Sequence, residues 1–296
     1  KIQALLGIAE KRTGDFKDAR DDLETAFPKV QDEKIRVETG MELVDLYSKT
    51  GDLDKASVTV GVLRRMEPTN DAILYSAYRI YSELTEQSIL SLMVVAPKSA
   101  YMHELMGLEL AKHGHPAEAM ENFRVAIKID PNLPGPHYEL AEVLNASAVT
   151  RDEAESEYKK ALALNPFDEA SECRLGDIAV QKNDLQQAYK LYTRALQLRP
   201  DDAQANLGLA EVLMSMGEMK KAEPLLKRAI QLDPTSEVAH FRLSTLYRQT
   251  GRRADARLEL QQYQKYKTMK AKLRDLYHGL RVAPAKEESG NAESIH

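Results

Sequence analysis

Residues 116–131, PAEAMENFRVAIKIDP, contain the pattern that determines the fold of this chain. The pattern recurs as RDEAESEYKKALALNP at 151–166, LQQAYKLYTRALQLRP at 185–200 and MKKAEPLLKRAIQLDP at 219–234. The copies start 35, 34 and 34 residues apart, and each has an alanine at its fourth position, a bulky residue four positions later and a proline at its end. A fixed period of this length predicts a helical repeat array.

Each of these stretches is the second helix of a repeat, and a glycine or asparagine at the turn precedes all of them except the copy at 151–166. Glycine takes the left-handed backbone conformation that ends a first helix without a Cβ clash, and asparagine is the usual substitute. The alanines of the second helix let the paired helices approach closely. The proline stops the second helix because it lacks an amide hydrogen. We therefore predict a helix, a tight turn and a second helix in each copy, with the turn residues Gly14, Gly51, Gly114, Asn183, Gly217 and Gly251.

The composition also predicts an all-α fold. Ala, Leu, Glu, Lys and Gln, which are strong helix formers, dominate the chain, and no stretch shows the period-2 alternation of a strand. No run of about 18 apolar residues is present, so no segment is predicted to cross a membrane. Because the chain starts at Lys1, we expect an upstream segment to have been trimmed. The compartment therefore stays open: we expect a soluble protein, cytoplasmic by default and periplasmic or secreted if a signal peptide preceded it.

A longer set of residues recurs in three copies: Met106, Gly107, Gly114, Ala119, Phe123, Ala126 and Pro131; Leu175, Gly176, Asn183, Ala188, Tyr192, Ala195 and Pro200; and Leu43, Tyr47, Gly51, Ala56 and Pro68. In these positions the sequence resembles the tetratricopeptide repeat family, over roughly residues 1–266. It departs from the family pattern because no tryptophan marks a first helix, the loop at 146–151 carries an extra residue, and the copy at 71–97 is short and lacks the turn glycine. The resemblance implies a right-handed α-solenoid with a concave face.

We predict about eight such units, the third of them degenerate. That unit is either a packing irregularity or a hinge, and we favour an irregularity because Tyr75, Ile80 and Leu84 still provide an apolar face. Residues 267–282 are predicted to form an amphipathic C-terminal capping helix, and the polar residues 283–296 a disordered tail. The predicted units are 1–33, 34–70, 71–99, 100–133, 134–168, 169–202, 203–236 and 237–266.

The sequence carries no motif for catalysis. It has no glycine-rich phosphate loop, metallohydrolase motif or nucleophile elbow. The single cysteine, Cys173, excludes an internal disulfide and a cysteine-based zinc site, and no base accompanies it. His103, His137 and His240 occupy the same slot of different repeats, on the order of 10 Å apart, so we interpret them as core or edge residues. We predict a protein that is not an enzyme and that needs no cofactor or metal.

A solenoid binds its partner with first-helix residues that point away from the core, so these residues are the candidate site. The middle of this groove is mostly acidic with apolar and aromatic interruptions, and its C-terminal end turns basic. The lysine, arginine and asparagine clamp with which family members hold acidic chaperone tails is absent. The predicted partner-binding residues are Glu104, Leu108, Tyr138, Glu142, Arg174, Asp177, Leu207, Glu211, Phe241, Arg242 and Arg248; the same template also places Met41, Glu42, Asp45, Tyr75, Arg79, Cys173 and Thr245 inward.

Two interpretations of the acidic groove remain open. In the first, the groove binds a peptide or protein segment that carries Lys or Arg together with apolar anchors, by charge complementarity. In the second, the acids form a solvated helix face. No small-molecule substrate is predicted in either case.

The C-terminal end is basic, and it too allows alternatives. Residues 248–281 carry ten Lys or Arg against three acids, whereas residues 1–247 have a net charge of -10. This end is a solvated cap, a surface that docks on the acidic groove of another copy, or a site for nucleic acid or an anionic membrane. We favour these three interpretations in that order.

The predicted function of the chain is a protein–protein interaction scaffold. The alternatives are a self-assembling structural protein and the regulatory arm of a larger protein.

Overall fold

Every regular element of the computed structural model, which describes residues 1–281 and their side chains as far as Leu276, is an α-helix. The chain divides into two compact units, residues 1–98 and the chain from Ser99 onward. The first unit consists of α1 (Ile2–Thr13), α2 (Phe16–Ala26), α3 (Glu33–Thr50), α4 (Leu53–Met66) and α5 (Asp71–Val95). The described part of the second unit consists of α6 (Ala100–Lys112), α7 (Pro116–Ile129), α8 (Pro134–Asn145), α9 (Arg151–Leu164), α10 (Glu169–Gln181), α11 (Leu185–Leu198), α12 (Ala203–Ser215), α13 (Met219–Leu232), α14 (Glu237–Gln249) and α15 (Arg253–Arg281).

The predicted helix pairs are confirmed in all copies except the third. In the first unit α1 packs on α2 and α3 on α4, and in the second unit each even-numbered helix from α6 to α14 packs on the helix that follows it. Each predicted turn residue has a positive φ, from 58° at Asn183 to 92° at Gly14. The fold class is therefore an α-solenoid. No helix within residues 1–281 is long and apolar enough to span a membrane.

The third copy differs from the prediction, because α5 is one helix of 25 residues and not a helix pair. No glycine or asparagine stands where the turn should fall, so nothing ends the helix there. The hydroxyls of Thr85 and Ser88 donate to the carbonyls of Tyr81 and Leu84 at 2.7 and 2.8 Å, within the same helix. The described chain thus has seven helix pairs and one single helix, and the boundary between the two units follows the end of α5.

The C-terminal end also differs from the prediction. We expected a separate capping helix at 267–282, but α15 runs without a break from Arg253 to Arg281. The physical reason is that no glycine or proline stands between Arg253 and Gly279 to end the helix. The predicted disordered tail at 283–296 lies outside the described residues.

The repeated alanines and bulky residues of the second helices form the core of each pair. The alanines Ala119, Ala154, Ala188 and Ala222 are fully buried. Packing is tight around Tyr192, whose ring lies against Gly176 of its own repeat and Gly208 of the next. A Cβ atom added at Gly208 would lie 2.4 Å from the Tyr192 ring, so the two helices meet at glycine because no larger residue fits.

Candidate partner-binding surface

The predicted site residues lie on the first helices of the second unit, which are α6, α8, α10, α12 and α14. We call the set the first-helix face, and it consists of Glu104, Leu108, Tyr138, Glu142, Arg174, Asp177, Leu207, Glu211, Phe241, Arg242 and Arg248. Two slots of the repeat supply most of it. Glu104, Tyr138, Leu207 and Phe241 share one slot, and Leu108, Glu142, Asp177 and Glu211 share the other.

Glu142 is held by its own chain. The Arg174 guanidinium of the next first helix donates to its two carboxylate oxygens from Nε at 2.8 Å and from Nη2 at 3.2 Å. The Tyr158 hydroxyl, from the second helix of the same repeat, donates to the same carboxylate. Burial and this hydrogen bond raise the pKa of Tyr158, so the phenol stays protonated as a donor. Glu142 therefore ties two repeats together.

Asp177 is held in the same way. The Tyr192 hydroxyl donates to Asp177 Oδ1 at 2.5 Å, and Arg174 lies 3.4 Å from the other carboxylate oxygen. Burial raises the pKa of Asp177, and this effect exceeds the lowering by its contacts with Tyr192 and Arg174. One guanidinium thus serves two predicted groove acids, and neither acid is left as a free charge.

A third groove acid, Glu211, is also paired with an arginine of the next first helix. Arg242 Nε donates to Glu211 Oε1 at 2.6 Å, across neighbouring first helices. The first unit repeats the arrangement with the charges exchanged, because Lys11 of α1 forms ion pairs with Glu42 and Asp45 of α3. We call these contacts between successive first helices the ion-pair ladder. Since the ladder neutralises Glu142 and Glu211, the groove is less negative than its residue types indicate.

The ladder is visible in the sequence once the slots are aligned. Arg174 follows Glu142 by 32 residues and Arg242 follows Glu211 by 31, about one repeat in each case. Tyr158 occupies a core slot that holds phenylalanine at 123 and leucine at 226, so its buried hydroxyl needs a partner nearby. The acid stands 16 residues before it, on the facing helix. The sequence analysis treated the acids separately and missed this relation.

Leu207 does not belong to the exposed surface. It is only 7% exposed and packs in the core cluster of the last repeats, so its assignment to the partner-binding surface is wrong. By contrast Leu108 and Phe241 are 38% and 40% exposed. The slot alone therefore does not set exposure.

Two partly buried carboxyl groups, Glu104 on α6 and Glu139 on α8, form no ion pair within the described residues. Burial raises the pKa of Glu104 and of Glu139, and the nearby Glu142 and Glu104 charges raise that of Glu139 further. Within residues 1–276 no ion pair reaches either carboxylate. Glu104 packs on Gly135, where an added Cβ would lie 2.1 Å from its Oε1 atom. The sequence analysis did not single out Glu139, whose exposure depends on the neighbouring helix.

Two adjoining clefts lie at the C-terminal end of the face and share Thr245. The first, of about 320 Å³, is bounded by α10, α12 and α14, and the second, of about 290 Å³, by α14 and α15. Phe241, Ala256 and Leu260 form apolar walls of the second cleft. Its rim carries three arginines for which the described residues provide no ion-pair partner: Arg248, Arg253 and Arg257.

The first unit has a cleft of its own, of about 510 Å³, between α3 and α5. Met41, Asp45, Tyr75 and Arg79, which the repeat template places inward, are among the residues that line it. Tyr75 is 64% exposed. Each unit therefore presents first-helix residues to solvent.

The histidines and the cysteine act as structural residues. The Nδ1 atoms of His137 and His240 lie 2.6 Å from carboxylates on the second helix of their own repeats, Glu157 and Glu259. This confirms the interpretation of these side chains as core or edge residues. Burial raises the pKa of Cys173 to about 12, so its thiol stays protonated and unreactive. Within residues 1–276 no group of three His, Cys, Asp or Glu is placed to hold a metal ion.

Stacked helix pairs with left-handed turns, buried alanines and an exposed first-helix face define a helical repeat protein of the α-solenoid class. The sequence pattern of the tetratricopeptide repeat matches residues 179–227 and 221–277. Over these residues the chain is similar to the tetratricopeptide repeat family. No curated protein matches its sequence.

Several solved structures are similar to this chain. Pseudomonas aeruginosa pilF is 21% identical, with a TM-score of 0.52 over 56% of this chain and 76% of its own. MamA from Desulfovibrio magneticus RS-1 is 18% identical, with a TM-score of 0.50 over 57% of this chain and 96% of its own. YrrB, described as a TPR protein with an unusual peptide-binding site, is 17% identical, with a TM-score of 0.49 over 60% and 91%. At these identities the similarity of pilF and MamA shows the fold alone.

Proposed function

We propose that this chain is a protein-interaction scaffold that binds a peptide or protein segment on the first-helix face of its second unit. The observation that carries the proposal is the pair of clefts at α10–α15. There Phe241 is 40% exposed beside three arginines that lack ion-pair partners among the described residues. An exposed aromatic surrounded by free guanidinium groups fits a partner that brings an apolar side chain next to carboxylates.

The opposite end of the face fits a different group. Glu104 and Glu139 are desolvated carboxylates that form no ion pair with the described residues, so a lysine or arginine of the partner would relieve their burial. From α8 to α14 the face spans three repeats, roughly 30 Å at about 10 Å for each helix-packing step. An extended segment of about nine residues covers this distance. The proposed partner segment therefore carries a basic residue at one end and an apolar anchor with acidic neighbours at the other.

The ion-pair ladder explains how such a surface would bind. Arg174 and Arg242 link successive first helices, so the helices that carry the contact residues are held in place before a partner arrives. Binding to a preorganised surface avoids part of the entropic cost of ordering side chains. Glu142, Asp177 and Glu211 accordingly serve to hold the surface rather than to contact the partner.

A selection from a random peptide display library tests the proposal. We expect the full chain to enrich peptides in which an aromatic or leucine side chain is flanked by Asp or Glu. Arg248→Glu combined with Arg257→Glu should abolish this enrichment, because it reverses the charge of the cleft rim. The matched control is Lys220→Glu combined with Lys221→Glu, which makes the same charge change on exposed residues of α13. Equal enrichment by both variants, or no enrichment by the parent chain, would contradict the proposal.

Self-assembly is the competing hypothesis, and fewer observations of the structure support it. Head-to-tail docking of the basic C-terminal end needs free acids on the face, but Glu142 and Glu211 are already paired. Sedimentation velocity over a range of concentrations separates the two. A mass that stays that of one chain removes self-assembly, whereas a mass that grows with concentration and falls on Glu104→Lys would favour it.

A further inference from the structure

The last helix, α15, extends past the helix on which it packs. Tyr266 stacks on His240 of α14, with ring centroids 5.5 Å apart. Since α14 begins at Glu237, one turn before His240, the antiparallel α15 can follow it for only about one more turn. Yet α15 continues to Arg281. We call the stretch Lys267–Arg281 the free end of α15; at 1.5 Å per residue it is about 22 Å long.

The described part of the free end of α15 is amphipathic. Met269, Leu273 and Leu276 succeed one another at helical spacing and are 54%, 53% and 65% exposed. Because each residue turns the helix by about 100°, Lys270 and Lys272 fall on opposite flanks of this apolar stripe. An apolar stripe with lysines along both edges is the arrangement of a helix that lies in a membrane interface, where lysine stems cover apolar surface and their ammonium groups reach outward.

Within residues 1–276 no acid forms an ion pair with the cations of this segment. Residues 267–276 carry four cations and one acid, Asp275. On the first-helix face of another copy Glu142 and Glu211 are paired within their own chain, and the unpaired Glu104 and Glu139 are partly buried. Lys267 donates to the neutral hydroxyl of Tyr263 at 3.0 Å and lies 5.3 Å from the centroid of its ring. The cations along this end of α15 are Lys267, Lys270, Lys272 and Arg274.

We propose that the free end of α15 binds the surface of an anionic phospholipid membrane. Nucleic acid would neutralise the lysines but leave Met269, Leu273 and Leu276 in water, since its backbone offers charge and no apolar cover. A bilayer interface provides both the negative headgroups and the apolar layer beneath them. Attachment through this end leaves the clefts at α10–α15 facing water, so a membrane-attached chain keeps its partner-binding surface. The inference does not depend on which partner that surface binds.

Vesicle co-sedimentation of the full chain tests this inference. The probes are vesicles of phosphatidylcholine alone and vesicles of phosphatidylcholine mixed with phosphatidylglycerol. We expect retention only on the mixed vesicles. Lys270→Gln combined with Lys272→Gln should lower the partition coefficient about 25-fold, roughly fivefold for each lysine near the surface. Met269→Gln combined with Leu273→Gln should lower it about tenfold at unchanged charge, because glutamine keeps the helix but removes the apolar stripe.

The matched control is Lys220→Gln combined with Lys221→Gln on α13, which removes the same charge elsewhere and should leave partitioning unchanged. Circular dichroism of each variant shows that the fold is retained. The proposal is overturned if the parent chain does not sediment with the mixed vesicles, or if the apolar variant binds them as well as the parent does. It is also overturned if duplex DNA competes away vesicle binding while the apolar variant keeps its DNA affinity, because the lysines then act as a nucleic-acid site. A concentration-dependent mass that the apolar variant abolishes would assign the stripe to a second copy instead.

Discussion

Neutralising Glu142 should destabilise the second unit, although the sequence analysis placed this residue among the partner contacts. In Glu142→Gln the amide keeps the shape of the side chain and one acceptor oxygen, but it loses the charge that faces Arg174. Tyr158 retains an acceptor, so the main loss is the charge-assisted pair with the guanidinium.

The magnitude follows from the burial of the pair. A hydrogen bond to a charged group contributes about 1.5–3 kcal/mol when well shielded. The side chains of Arg174 and Glu142 are 36% and 30% exposed, so solvent screening reduces the contribution of each bond. Glu142 accepts two such bonds, solvent weakens both, and glutamine still accepts part of them. We therefore expect the free energy of unfolding to fall by about 2 kcal/mol. For a unit of this size that corresponds to a fall in Tm of about 6 °C.

The assay is urea unfolding at neutral pH, followed by circular dichroism, with Glu139→Gln as the matched control. Glu139 lies one turn earlier on α8 and is desolvated, but no cation in the described chain pairs with it. Its neutralisation should leave the midpoint unchanged or raise it slightly, because repulsion from Glu142 and Glu104 disappears. Equal midpoints for Glu142→Gln and the parent chain would refute the reasoning. The ladder would then add nothing to stability, and Glu142 would again be a candidate for partner contact.

Three further outcomes follow from the packing and the titration of buried groups. Gly208→Ala should lower the free energy of unfolding by about 1–2 kcal/mol, since overpacking against the Tyr192 ring exceeds the helix-propensity gain of about 1 kcal/mol. In a Tyr192→Leu background, which lacks the ring, the same Gly208→Ala change should cost less in the same urea titration. Because the pKa values of Glu104 and Glu139 are raised in the folded chain, their protonation stabilises the fold. This contribution is complete below their ordinary pKa of 4.5 and is lost as the pH rises through the folded-state values. Glu104→Gln combined with Glu139→Gln should therefore flatten the pH dependence of the urea midpoint over that range, and an unchanged slope would contradict the burial of these carboxyls. Cys173 should resist a thiol-modifying disulfide reagent at neutral pH until urea unfolds the chain, because its pKa is raised to about 12; fast labelling of the folded chain would mean that the thiol is exposed.

Much of the fold follows from local requirements that the sequence displays directly. A turn that needs positive φ selects glycine or asparagine, a close helix contact selects alanine, and each requirement returns with the repeat. The seven helix pairs were predictable for that reason. The absence of a turn residue also agrees with α5 being one helix, although α8 and α9 are separated without a positive-φ residue and so show that this rule alone does not decide.

The candidate site was less predictable, because its properties arise between repeats. The slot pattern places Glu142 and Glu211 on the first-helix face, but whether they meet a partner or an arginine depends on residues one repeat away. Leu207 and Phe241 share a slot, yet one is 7% and the other 40% exposed, because their neighbours differ.

The residue pattern along the chain therefore settles which segments are helical, where most of them turn and which residues form the core of each pair, since these are requirements of backbone conformation and of close packing within about one repeat. Tertiary structure alone decides which acids are neutralised, where clefts open and how far α15 extends beyond its partner. Charge pairing and exposure depend on two surfaces in contact, whereas the residue pattern of one helix describes only one of those two surfaces.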